Sequence, residues 1–105
     1  MDPLYQAAKE GNLETVQALI AADADINQAN KYGATPLYSA SFEGHLDIVK
    51  ALIEAGANRN KAKNNGCTPL FIAAQKGHLD IVKALLEAAA GINKAENDGC
   101  TPLFI

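Results

Sequence analysis

Four prolines constrain this chain more than any other residues. They stand at Pro3, Pro36, Pro69 and Pro102, and each step between neighbours is 33 residues. A constant period of that length belongs to arrays of supersecondary units, in which each copy buries its apolar face against the next. Residues 34–66 and 67–99 agree at roughly two-thirds of positions, whereas residues 1–33 diverge more and residues 100–105 repeat 67–72 letter for letter. The expected organisation is a single repeat domain over 1–105, with 1–33 as an N-terminal capping repeat, 34–66 and 67–99 as full repeats, and 100–105 as a partial one.

Each proline follows a residue that can cap a helix, Asp2, Thr35, Thr68 or Thr101. The side-chain oxygen accepts from an orphan backbone N–H, and proline fits the first helical turn because its φ is already helical and its missing N–H is not needed there. Short helices are therefore predicted from Pro3 to about Lys9, and from Pro36 and Pro69 to the terminating glycines Gly44 and Gly77. Small residues within them, such as Ser39, Ala40, Ser41, Ala73 and Ala74, allow close approach to neighbours. Second helices follow from about Leu13 to Ala21, Leu46 to Glu54 and Leu79 to Glu87. In the later copies Ile48, Val49, Leu52 and Ile53, and Ile81, Val82, Leu85 and Leu86, form an apolar stripe broad enough to touch both their own repeat and the next. The predicted fold class is all-α, two antiparallel helices per copy, with Asn-Gly and Asp-Gly turns marking hairpin-like loops between copies. Gln6 replaces the apolar Ile72, and Thr15 replaces Ile48 and Ile81. A polar face on the first copy is what an uncovered terminal repeat requires.

Composition and charge weigh against several functions. A formal net charge of −3 with scattered basic residues gives no general attraction to a phosphate backbone, and the local Arg59, Lys61, Lys63 cluster is expected to be a solvated loop. No apolar run is long enough to span a bilayer, and the first residues lack the basic and apolar regions of a signal peptide. The expectation is no nucleic acid, no membrane, and a cytoplasmic or nuclear setting. Cys67 and Cys100 occupy equivalent positions in successive copies. At a helix-pair spacing of about 8–10 Å they would lie beyond disulfide reach of about 7 Å, so two free thiols in a reducing compartment are expected.

The run Gly-Cys-Thr-Pro-Leu-Phe-Ile-Ala-Ala-Gln-Lys-Gly-His-Leu-Asp-Ile-Val-Lys-Ala-Leu-Leu-Glu, from Gly66 through Glu87, resembles the ankyrin repeat over essentially the whole chain. The resemblance implies an ankyrin-like solenoid with projecting hairpins and a concave surface built from hairpin tips and first helices. Two departures bear on the fold. The family's histidine after Thr-Pro-Leu is Tyr38, Phe71 or Phe104 here, so aromatic packing is expected to replace its hydrogen bonds. The glycine of the Gly-Ala turn survives as Gly56, with Asp23 and Ala89 at the equivalent places. If that turn needs φ > 0, Ala89 costs about 1 kcal/mol and Asp23 less.

His45 and His78 are followed by Asp47 and Asp80, but i and i+2 do not share a helix face, and the Gly-His motif implies a structural role. No catalytic or metal-ligating signature appears, so no enzyme activity, cofactor or metal is expected. The resemblance instead maps partner-binding positions onto Lys31, Tyr32 and Ala34 with Phe42 and Glu43, then Asn64, Asn65 and Cys67 with Gln75 and Lys76, then Asn97, Asp98 and Cys100. Tyr32 and Phe42 stand out because aromatics anchor interfaces. The expected function is a protein–protein interaction module, monomeric, with a protein partner of unspecified identity. The alternative is a structural or self-associating scaffold, engineered or excised from a longer array, that pairs through Leu103, Phe104 and Ile105.

Overall fold

The computed structural model describes residues 2–88, and these form six helices: α1 Pro3–Glu10, α2 Leu13–Ala21, α3 Pro36–Glu43, α4 Leu46–Glu54, α5 Pro69–Gln75 and α6 Leu79–Ala88. The predicted pairing is present, with α1 on α2, α3 on α4 and α5 on α6. First helices pack in one row, α1 on α3 on α5, and second helices in another. Positions 89, 97, 98 and 100 to 105, including Leu103, Phe104 and Ile105, lie outside the described residues.

The caps act as their residue types dictate. Asp2 accepts from the Leu4 amide at 3.3 Å, Thr35 from Tyr38 at 3.2 Å and Thr68 from Phe71 at 3.1 Å. Gly11 and Gly44 close α1 and α3 in the left-handed conformation, at φ 81° and 86°. In the third copy Lys76 closes α5 in a right-handed helical conformation, and Gly77 turns left-handed one residue later. Asp23 takes φ 68° where Gly56 takes 95°, so the turn after each of these second helices does require a positive φ.

α3 lies between α1 and α5 and is buried from Pro36 through Ser41. Its Ser39, Ala40 and Ser41 are small enough for neighbours on both sides to approach closely. Leu4, Val16, Leu37, Ile48, Leu52 and Ile81 join one continuous core running through all three copies. Full burial of each such side chain contributes about 1.5–3 kcal/mol. Leu86 departs from the expected stripe. It is 53% exposed, whereas its counterpart Ile53 faces Ala84 and Ala88 of α6 across a shallow groove. No described helix lies on Leu86's side.

Successive copies are also joined by directed bonds. The His45 ring Nε2 lies 3.1 Å from the Lys9 carbonyl oxygen, and the His78 Nε2 lies 3.1 Å from that of Phe42. A carbonyl only accepts, so Nε2 carries the proton and donates. Both carbonyls belong to the last turn of a first helix, where no intrahelical donor remains. The imidazole reaches this position only because a glycine lies beneath it. A Cβ at Gly11 would fall 2.8 Å from His45 Cε1, and one at Gly44 would fall 2.8 Å from His78 Cε1.

The glycines therefore predict two different costs. Gly56→Ala meets open space and loses about 1 kcal/mol from its positive φ alone. Gly44→Ala carries the same φ cost and collides with the His78 ring, for about 2–4 kcal/mol in total. Urea unfolding midpoints at constant m check this, and equal losses would contradict a fitted His78.

Candidate functional site

The hairpins are built from their turn residues. In the first, the Asn30 amide donates to the Ala34 carbonyl at 2.9 Å and the Gly33 amide to the Asn30 carbonyl at 2.9 Å. The Asn30 side chain accepts from the Tyr32 and Ala34 amides at 2.9 and 3.0 Å, satisfying the two donors that the turn leaves open. In the second, Lys63 bonds to Cys67 and Gly66 to Lys63 in the same way, and Asn65 supplies the side-chain acceptor for Cys67.

The two tips are bonded to each other. The Asn64 amide donates to the Tyr32 carbonyl at 2.9 Å, and its side-chain Nδ2 donates to the Lys31 carbonyl at 3.0 Å. This approach leaves no room for a Cβ at Gly33, which would lie 2.8 Å from the Asn64 nitrogen. Lower in the same loops, the Asn58 amide donates to the Asn27 side chain at 2.8 Å.

The expectation of a free thiol at Cys67 is corrected, since Cys67 is disulfide-bonded. Helix spacing of about 8–10 Å does not apply there, because Cys67 sits at a hairpin root outside the helices. The Cys67 bridge also removes the thiol support for a reducing compartment.

Between the first helices and the tips lies a cleft of about 230 Å³, lined by Tyr5, Tyr32, Tyr38 and Phe42 with Lys9, Glu43 and Lys63 among its edges. Tyr5, Tyr38 and Phe71 occupy one column of the repeat, and Tyr38 is buried among Ala34, Cys67 and Ile72. Its ring centroid lies 6.5 Å from that of Phe42 in a tilted pair. Aromatic packing thus takes the place that the family gives to histidine. Three ammonium groups sit over the aromatic faces: Lys31 over Tyr32 at 5.2 Å, Lys63 over Tyr38 at 5.2 Å and Lys76 over Phe42 at 4.4 Å. At exposed sites such contacts are worth about 0.5–1 kcal/mol each.

The predicted positions divide by exposure. Lys31, Tyr32, Phe42, Glu43, Asn64, Asn65, Gln75 and Lys76 are exposed. Ala34 and Cys67 are buried at the hairpin roots and contribute packing. Asn97, Asp98 and Cys100 lie outside the described residues. Tyr5, Lys9 and Lys63 were not singled out as partner-binding positions. Aligning the copies and reading one column across exposes part of the pattern, since Lys76 follows Phe42 by one period plus one residue.

His45 and His78 have the structural role that their motif implies, and neither side chain caps its own helix. Asp47 and Asp80 accept from the following amides at 2.8 and 2.7 Å instead. In the first copy the position belongs to Asn12, whose side chain caps α2 through the Thr15 amide at 3.1 Å. Thr15 itself is exposed, and Gln6 is half-buried with its amide donating to Glu10 at 2.7 Å. Among the described residues no group of three His, Cys, Asp or Glu side chains could hold a metal, and no helix is long and apolar enough to cross a membrane.

Burial pushes the Tyr38 hydroxyl pKa above its ordinary value of 10.0, and the proximity of Tyr5 pushes it further. Folding thus favours the protonated phenol. That stability is fully present below the pKa of the unfolded chain and is lost as pH rises through the folded value. Above about pH 10 unfolding free energy should fall with pH, and Tyr38→Phe should flatten that fall. Chemical denaturation between neutral and strongly alkaline pH measures both slopes, and unchanged slopes would contradict the burial of this hydroxyl.

A family model described as ankyrin repeats in three copies matches residues 1–63 and 52–105. No curated protein matches the chain.

Proposed function

Because the chain belongs to the ankyrin repeat family, whose members generally serve as protein–protein interaction modules and are typically non-enzymatic, we propose that it binds a protein partner across its tips and first helices. The observation that carries this reading is the exposure of two large aromatics beside one cleft, Tyr32 at 57% and Phe42 at 38%. Aromatic side chains supply large contact area at low entropic cost, and hot spots are enriched in them. Their surroundings are already ordered by bonds between the hairpins, so little conformational freedom remains to be lost on binding. The cleft is smaller than the roughly 300–1,000 Å³ of small-molecule sites, which favours a partner's side chain over a free metabolite. The first copy acts as the capping repeat in this scheme, its Thr15 exposed and its Gln6 half-buried.

A second reading, self-association, draws on the exposed Leu79 and Leu86 of α6. Affinity capture with the chain and with a Tyr32→Ala, Phe42→Ala variant tests the first, and light scattering of the same proteins over a concentration series tests the second. The expected outcome is a constant monomer mass for both and a partner retained by the unsubstituted chain alone. Equal capture by the two proteins would contradict the aromatic anchor, and a mass rising with concentration would favour self-association.

A further inference from the structure

We infer that the cleft takes an acidic peptide segment carrying one aromatic anchor, a partner class that rests on the concave-face binding proposed above. The chain is acidic overall, yet basic side chains gather around the cleft. On the second helices Glu14, Asp47, Glu54, Asp80 and Glu87 are exposed against only Lys50 and Lys83. Around the cleft the balance reverses: Lys9, Lys31, Lys63 and Lys76 line it or cover its aromatic rings, and Glu43 is the one carboxylate among its lining residues.

These lysines are placed but not neutralised. Among the described residues none of the four ammonium groups pairs with a carboxylate. Lys31, Lys63 and Lys76 each lie over a ring, which orients the charge while its N–H donors stay available. A partner carboxylate can therefore approach an ammonium already held in position, and electrostatic complementarity steers the encounter. Between the lysines the exposed parts of Tyr32 and Phe42 offer an aromatic side chain offset or edge-to-face packing. A basic segment would meet like charge at four points, and a neutral one would leave the ammonium groups unused.

The test uses the full chain and three probes: a short peptide with one Trp flanked by Asp and Glu, the same peptide with Lys in place of the acids, and a single-stranded oligonucleotide of matching negative charge. Amide and side-chain NMR shifts locate binding, and fluorescence anisotropy measures it. The acidic Trp peptide should bind, shift Tyr32, Phe42, Lys63 and Lys76, and weaken as salt is added. Lys63→Glu with Lys76→Glu should lower its affinity by about tenfold or more, and Lys63→Gln with Lys76→Gln should lower it less. Circular dichroism confirms that each variant stays folded. Equal or tighter binding of the basic peptide, or the same shifts with the oligonucleotide, would overturn this partner class while leaving the concave face as the binding surface. No shift at these residues with any probe would also overturn it, whereas the concave-face proposal fails separately, on equal capture by the Tyr32→Ala, Phe42→Ala variant.

Discussion

Each histidine donates its ring N–H to the last turn of the preceding copy's first helix, and the rest of the array depends on that contact. The acceptor is a carbonyl that the helix cannot satisfy internally. The space is provided by a glycine whose left-handed conformation both ends the helix and omits the Cβ that would block the ring. One residue type therefore closes a helix, and the other fixes where the next copy sits on it. Apolar burial supplies most of the stabilising free energy, but it is not directional. The His45 and His78 bonds supply direction, which stacking of otherwise similar units needs if register is to be unique.

The same logic continues at the far edge of the units. The bonds from Asn64 to the Tyr32 and Lys31 carbonyls join two loops that would otherwise be independent excursions. The first and second copies are thus held to each other both at the helix end and at the hairpin tip. Between those two lines of attachment lies the aromatic cleft, whose walls come from different copies. Phe42 stands at the end of α3 and the lysine above it, Lys76, at the end of α5. The cleft exists only when the copies are in register, so the bonds that order the stack also shape the surface offered to a partner.

Much of this was legible in the sequence. Period, Thr-Pro caps and terminating glycines placed the helices within a residue or two of their observed ends, because all three signals are local. The positive φ at Asp23 followed from its alignment with Gly56. Relations between copies were harder to read. Of the tip-to-tip bonds, one joins main-chain atoms and the other sets the Asn64 side chain on the Lys31 carbonyl, so neither marks the identity of Tyr32 or Lys31. The pairing of Lys76 with Phe42 spans one period plus one residue, so Phe42 stands out in its own copy but nothing there points to Lys76 as its neighbour. Cys67 departs from expectation because it lies outside the helices, where helix-to-helix spacing does not set the distance between copies.

If the attachments at both edges hold the copies as one preorganised surface, the hairpin tips must be as rigid as the helices. Backbone ¹⁵N relaxation at Tyr32, Gly33, Asn64 and Gly66 tests this directly. Order parameters near about 0.85, matching those of α3, are predicted. Values below about 0.6 at these amides, with the helices still rigid, would contradict it.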